Sequence, residues 1–199
     1  MGTVPSTLAA ASQLEPLRQG DHDNLCCLYA AINAIRLVLL PIRKLGRAQA
    51  RALFVHGARL INERGSLLSV LEDGMEEPLW IELCTTLSTE ASRLTGVGIK
   101  LTFLLDSWPK PSSKTSIERI KRALRKGQPV LVLLHGAYDH CTVAAAITHQ
   151  RLVLFDSHGF KWVSLAKVGI EHPRSNRLHQ IPTTSAVALS LGAKRRASS

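Results

Sequence analysis

The segment Gln19-Gly-Asp-His-Asp-Asn-Leu-Cys26-Cys27 is a polar loop that delivers two thiols to the first turn of an apolar stretch. A cysteine at the start of a helix faces the positive end of the helix dipole, which favours the nucleophilic thiolate. The bland alternative is that both are small core residues, because free cysteine is often buried. Further on, Tyr138-Asp139-His140-Cys141-Thr142-Val143 puts an imidazole at the start of an apolar strand. The next apolar run, Leu152-Val153-Leu154-Phe155-Asp156-Ser157-His158-Gly159, ends on a carboxylate. If the chain turns around His149, Asp156 lies opposite Thr142, two residues from His140 and on the same face. That diagonal, ~7–8 Å between backbones, is within reach of a His–Asp hydrogen bond. Such a bond fixes the tautomer of a histidine base and stabilises its imidazolium form.

Cysteine, histidine and aspartate in that order make a joint signal stronger than any part. A thiolate attacks a carbonyl carbon, the imidazolium protonates the leaving group, and the imidazole then activates water to release the acyl-enzyme. Gln19, just upstream, can offer its side-chain amide to the oxyanion beside the cysteine's backbone N–H. Successive helical residues point ~100° apart, so only one of the adjacent thiols faces the reacting side. With Asp23 as N-cap, Cys26 shares a face with Ala30 and Asn33, and Cys27 with Ala31 and Ala34. The polar Asn33 favours Cys26 as nucleophile, with Cys27 as the alternative.

Other readings of these residues are weaker. His22, Cys26, Cys27, His140, Cys141 and His158 lack CxxC or HxxxH spacing, so no metal and no cofactor is expected. His158 faces His140 in the same register and is the alternative base. Cys84 lies on an apolar helix face and reads as core. His56, His135, His149, His172 and His179 have no partner that spacing supplies. Arg119, Lys121, Arg122, Arg125 and Lys126 put charge on most sides of a short helix without interleaved aromatics. That is a solvated face in preference to a nucleic-acid site.

The elements that must position these groups are set by periodicity. Leu25, Leu28, Ile32, Ile35 and Leu39 recur at helical spacing and stop at Pro41. A second helix covers about Arg47 to Glu63 and ends at Gly65, and a third runs from Pro78 to Gly96. Between them Glu72, Asp73, Glu76 and Glu77 read as an acidic turn. Strands come next at Ile99–Leu105, Val130–Leu134, Thr142–Ile147, Leu152–Phe155 and Lys161–Leu165, with short ones near Leu178–Ile181 and Ala186–Leu191. A Pro/Ser loop at Trp108–Ser113 and a short basic helix capped by Ser116 and ended by Gly127 interrupt them. Helices first and an antiparallel sheet second is an α+β order. Residues 1–18 read as a loose arm, 19–192 as one domain and 193–199 as a frayed basic tail.

The 199 residues suffice for one core without disulfide staples. With 45 % hydrophobic and 20 % charged residues, disorder, a collagen-like fibre and a coiled coil are excluded. No apolar run reaches the ~18 residues that span a bilayer, and the first residues make a poor signal peptide. Four cysteines, two adjacent, are no disulfide framework, which points to a reducing, cytoplasmic setting. Net charge is +10. Residues 1–100 carry ten basic and ten acidic groups, and residues 101–199 fifteen and five, so the excess falls in the second half. Such a field favours acidic partners.

The helix Cys26-Cys-Leu-Tyr-Ala-Ala-Ile-Asn-Ala, the run Gly-Gln-Pro-Val-Leu-Val-Leu-Leu, then Asp139-His-Cys-Thr-Val and Leu152-Val-Leu-Phe-Asp-Ser-His-Gly together resemble a papain-like cysteine peptidase. The nearest subgroup is the bacteriocin-leader-peptidase type. The resemblance covers roughly residues 19–40 and 127–162. It implies a helical half packed on an antiparallel sheet with the active-site cleft between them. It also implies Cys26 as nucleophile, His140 as base, Asp156 as orienter and Gln19 as oxyanion donor, acting on a peptide or protein. Two other classes stay open: acyl transfer or amide hydrolysis on a non-peptide substrate, and a non-catalytic binding or adaptor protein. The chain has Cys27 where the family usually has glycine, and Cys141 where it often has an aromatic or aliphatic residue.

Overall fold

The structure, a computed structural model, describes residues 11–20, 23–65, 67–106, 112–172 and 175–192. The expected tail, the first ten residues of the expected arm, His22 and most of the expected Pro/Ser loop lie outside these residues. Helix α1, Cys26–Leu39, buries 11 of its 14 residues, so it is apolar almost all round and runs through the core. Around it pack α2 (Arg47–Arg64), α3 (Leu67–Asp73) and α4 (Glu77–Thr95). Helix α4 has Pro78 in its first turn and ends at Gly96, whose left-handed φ of 70° closes the helix. Gly57 lets α2 lie close to α1, since a Cβ there would come within 2.5 Å of Leu28 Cδ1. Helix α3 occupies part of the segment read as an acidic turn.

Strand β1 (Ile99–Phe103) and α5 (Ser113–Arg125) lead into β2 (Val130–Gly136), β3 (His140–Ile147), β4 (Arg151–Phe155) and β5 (Trp162–Ser164). Strands β6 (Val168–Ile170), β7 (His179–Ile181) and β8 (Ala186–Leu191) complete the sheet. The main path is β1-β8-β2-β3-β4-β5, all antiparallel. Strand β7 pairs with the far end of β2 and carries β6 in parallel. The fold is therefore α+β, with helices first and a largely antiparallel sheet second.

Both faces of the sheet are covered. Leu131, Cys141, Val143 and Leu189 point into the core shared with α1 to α4. Their neighbours Val130, Val132, Ala144 and Ala188 point into a second core, roofed by Ile120, Ala123 and Leu124 of α5. Strand β3, covered on both sides, thus reads as a continuous apolar run. The basic helix is amphipathic: its apolar stripe is core, Lys114, Arg122 and Arg125 face out, and the half-buried Arg119 donates to the Leu104 carbonyl at 3.0 Å. Its cap is Ser112, whose Oγ accepts the Thr115 N–H at 3.2 Å, and Ser116 is buried in the first turn.

Two further expectations are corrected. Asp23 is not the N-cap of α1: Leu25 is, and Asp23 instead accepts the Leu25 and Gly20 N–H groups. Cys26 is thereby the first helical residue. The described part of the expected arm is docked, not loose. Leu14 is buried, and Asn33 on α1 takes both backbone groups of Leu17, at 2.8 and 3.2 Å. Arg36 donates to the Glu15 carbonyl at 2.8 Å. Side chains of α1 thus satisfy backbone groups that a free arm would leave to water. Among the described residues, no helix is long and apolar enough to cross a membrane.

Candidate active site

Cys26 sits at the start of α1 because the loop before it is closed by its own polar groups. Asp23 takes the Gly20 and Leu25 N–H groups, and the Gln19 amide donates to the Asp23 carbonyl at 2.5 Å. The first N–H groups of a helix have no intrahelical acceptor, so the Cys26 N–H is a free donor beside its own thiol. Cys26 is half-buried, while Cys27 is 3 % exposed and packs with Cys84 and Cys141. Only Cys26 is thereby presented.

His140 opens β3. The β2–β3 connection before it turns on Gly136, with φ of 97°, and on Asp139, with φ of 42°. Asp139 Oδ1 accepts the Gly136 N–H at 3.0 Å and holds this turn. The Cys26 thiol lies close enough to the His140 ring for each to shift the other's proton affinity, and the Cys141 N–H points at Cys26 Sγ over 3.5 Å. Helix α1 packs directly on β3, which brings these residues together across 115 positions of sequence.

Asp156 directly succeeds the last residue of β4. Near the site the two strands keep the expected register, Val143↔Phe155 and Ala144↔Leu154, and a bulge between Ala144 and Ala146 absorbs one residue nearer the turn. Asp156 Oδ2 accepts from His140 Nε2 at 2.7 Å. Asp156 Oδ1 collects three backbone N–H groups, from His158 and Gly159 at 2.8 Å and from Phe160 at 3.0 Å. The carboxylate is buried at 2 % exposure, yet both oxygens are partnered, which is the condition for keeping a buried charge. With Nε2 committed to Asp156, the other ring nitrogen, Nδ1, is left for the thiol.

These contacts set the proton affinities. Burial alone would push His140 down, but the Asp156 hydrogen bond and the Cys26 contact outweigh it and hold the imidazole at about 9. Burial would raise Asp156, and the His140 hydrogen bond keeps it below the ordinary carboxylate range. Contact with Cys27 and burial push the Cys26 thiol well up, against the pull of His140 and the Cys141 N–H.

Gln19 is fixed from three sides. Its backbone N–H donates to the Ser157 carbonyl at 3.2 Å, the Ser157 hydroxyl donates to its Oε1 at 3.2 Å, and its Nε2 donates to Asp23. One amide hydrogen remains uncommitted. His158 is exposed, makes no bond to Asp156 through its ring, and lies edge-on to His140 at 5.7 Å between centroids. The carboxylate selects His140 over His158. Among the described residues, no group of three or more His, Cys, Asp or Glu could hold a metal ion.

Three further residues complete the surroundings. Phe160 lies edge-on to His140 at 5.5 Å and stacks on Tyr138 at 4.2 Å, making an aromatic wall beside the imidazole. Ser157 links Gln19 to the Asp156 loop. The Asp-Ser-His-Gly string is a turn signal that could have announced the N–H cradle, whereas the aromatic contacts have no local signature. No family model, curated protein or solved structure matches the chain.

Proposed function

We propose that this chain is a thiol hydrolase of papain-like design, a cysteine peptidase whose Cys26, His140 and Asp156 act on a peptide or protein carbonyl. The observation that carries the reading is the chain of contacts from the Cys26 thiol to His140 and from His140 Nε2 to Asp156 at 2.7 Å, at the N-terminus of a buried helix. A nucleophile, a base and an orienter within hydrogen-bond reach are what acyl transfer through a covalent intermediate requires.

In this mechanism, transfer of the Cys26 proton to His140 Nδ1 gives thiolate and imidazolium. Cys26 Sγ attacks the carbonyl carbon, and the carbonyl oxygen becomes an oxyanion. The Cys26 N–H and the free Gln19 amide hydrogen are the available donors for it. His140 Nδ1 gives its proton to the leaving amine as the tetrahedral species collapses to a thioester. His140 then takes a proton from water, whose oxygen attacks the thioester carbon. Collapse releases the acid and returns Cys26 to its starting state. Asp156 stays ionised and holds the ring so that Nδ1 faces sulfur throughout. The free thiol suits the reducing cytoplasm expected for this chain.

The test is turnover of a mixed-sequence peptide pool, read by mass spectrometry of new termini. The unaltered chain should generate them and the Cys26→Ala chain should not. No new termini, at concentrations where Cys26 is demonstrably alkylated, would overturn the peptidase reading.

A further inference from the structure

A groove of about 810 Å³ opens along α1 away from Cys26. Arg18, Arg36, Lys44, Arg47 and Arg51 line it, with no acidic side chain among its lining. Among the described residues none of these five cations is in an ion pair. Arg18, Lys44, Arg47 and Arg51 are exposed. Arg36 is half-buried, and its two acceptors, the Glu15 carbonyl and Asn33 Oδ1, are both uncharged. The floor is apolar: Leu17 flanks it, and Tyr29 and Phe54 meet there at 5.3 Å between ring centroids. The counts by halves of the sequence hide this patch, because most acids of the first half lie from Glu63 onward. Helix α2 adds to the field, since it starts at Arg47 with no acid in its first turn.

The near end of the groove adjoins the candidate site along the chain, although Cys26, Gln19 and His140 are not part of its lining. Tyr29 lies one turn beyond Cys26 on α1, and Leu17 and Arg18 lead straight into Gln19. The Arg18 guanidinium also packs against Gly159 of the Asp156 loop, where a Cβ would meet it at 2.6 Å. Asp23, at this near end, has its carboxylate occupied by the Gly20 and Leu25 N–H groups. From Cys26 to Arg36 the axis of α1 rises ~15 Å, the span of about four to five residues of extended peptide.

From this we infer that the groove is the docking site of an acidic peptide segment of the substrate, about four to five residues carrying Asp or Glu with one apolar or aromatic side chain against Tyr29 and Phe54. The inference rests on the peptidase reading for the cleavage that docking serves, but not for docking itself. Five unpaired cations over an apolar floor match carboxylates interleaved with apolar groups. A nucleic acid would want base-stacking rings presented outward, whereas Tyr29 and Phe54 are half-buried against each other.

The experiment measures fluorescence anisotropy of labelled peptides with the Cys26→Ala chain, so that binding is read without turnover. A Glu/Leu hexapeptide should bind at least tenfold more tightly than its Gln/Leu counterpart. Arg47→Glu with Arg51→Glu should weaken it at least tenfold, whereas Lys100→Glu with Lys126→Glu, an equal charge change elsewhere, should leave it within twofold. Equal affinity for the two peptides would overturn the inference. So would equal effects of the two charge reversals, or tighter binding of a single-stranded hexanucleotide than of the acidic peptide. Turnover by the unaltered chain is measured in parallel: acidic binding without cleavage separates failure of the peptidase reading from failure of this one.

Discussion

Replacing Asp156 by Asn should abolish nearly all activity while leaving the fold in place, and the reason is in the carboxylate's contacts. Asp156 Oδ1 accepts three backbone N–H groups and Oδ2 accepts His140 Nε2. An asparagine must turn its one oxygen to the three donors, which leaves its NH₂ facing Nε2. An NH₂ donates, so His140 is forced into the tautomer with its hydrogen on Nδ1, the nitrogen that must take the Cys26 proton. Loss of the correct tautomer in a comparable serine-protease triad costs on the order of 10⁴ in kcat. We expect about 10²–10⁴ here, or ~3–5.5 kcal/mol of barrier at 1.36 kcal/mol per decade. Because the three N–H bonds survive, the thermal midpoint should stay near that of the parent. Asp156→Ala, by contrast, strands three partly buried donors and should cost more than the Asn variant, up to about 1–3 kcal/mol for each donor that water does not reach. The assays are the alkylation rate of Cys26 by iodoacetamide, peptide turnover, and thermal unfolding by circular dichroism. An Asn variant with the parent's alkylation rate would refute the reasoning, as would an Asn variant as unstable as the Ala variant.

The same contacts set further outcomes. His140 should titrate by NMR at about 9, and in Asp156→Asn it should fall, because burial is then opposed by the Cys26 contact alone. Since the folded value is raised, the His140–Asp156 pair should stabilise fully below pH ~6.5 and lose that contribution as pH rises through about 9. Asp156, whose folded value is depressed, should lose its share as pH falls below the ordinary carboxylate range. A pH–stability difference between parent and Asp156→Asn that does not shrink at both ends would contradict this. Gly136→Ala combines a φ of 97° with a Cβ placed 2.7 Å from the Leu178 carbonyl oxygen, and should destabilise by about 1–3 kcal/mol in a denaturant titration. Gln19→Ala should lower kcat more than it changes KM, through loss of one oxyanion donor, by a factor of ~10²–10³.

Much of this arrangement is legible in the sequence because the site is built from long, strongly patterned elements. The apolar spacing of Leu28, Ile32, Ile35 and Leu39 marks α1, and a turn at Thr148–Gln150 suffices to put Asp156 diagonal to His140. The bulge beyond Ala144 changes the register only on the turn side of the site, so it leaves that diagonal intact. The features that escape are decided by tertiary packing. Asp23 carries the capping residue type, but its carboxylate is drawn to Gly20 and Leu25, and the helix starts at Cys26. Ser116 carries it too, yet it is buried, and Ser112 caps. The docking of Leu14 to Arg18 depends on Asn33, whose only sequence signal is its polarity. Strand β6 has three residues, too few for periodicity to register, whereas the equally short β7 falls where a strand is expected. The cationic groove combines Arg18, Arg36, Lys44, Arg47 and Arg51 from two loops and two helices, so neither charge totals nor local runs reveal it.

The central claim is that Cys26 is a nucleophile activated by His140 and Asp156. The most direct measurement is covalent trapping by a peptidyl vinyl sulfone, with the adduct located by tandem mass spectrometry. The adduct should fall on Cys26 alone, vanish in Cys26→Ala, persist in Cys27→Ala, and form at least tenfold more slowly in His140→Ala and Asp156→Asn. An adduct on Cys27, or one on Cys26 that forms equally fast without His140 and Asp156, would contradict it.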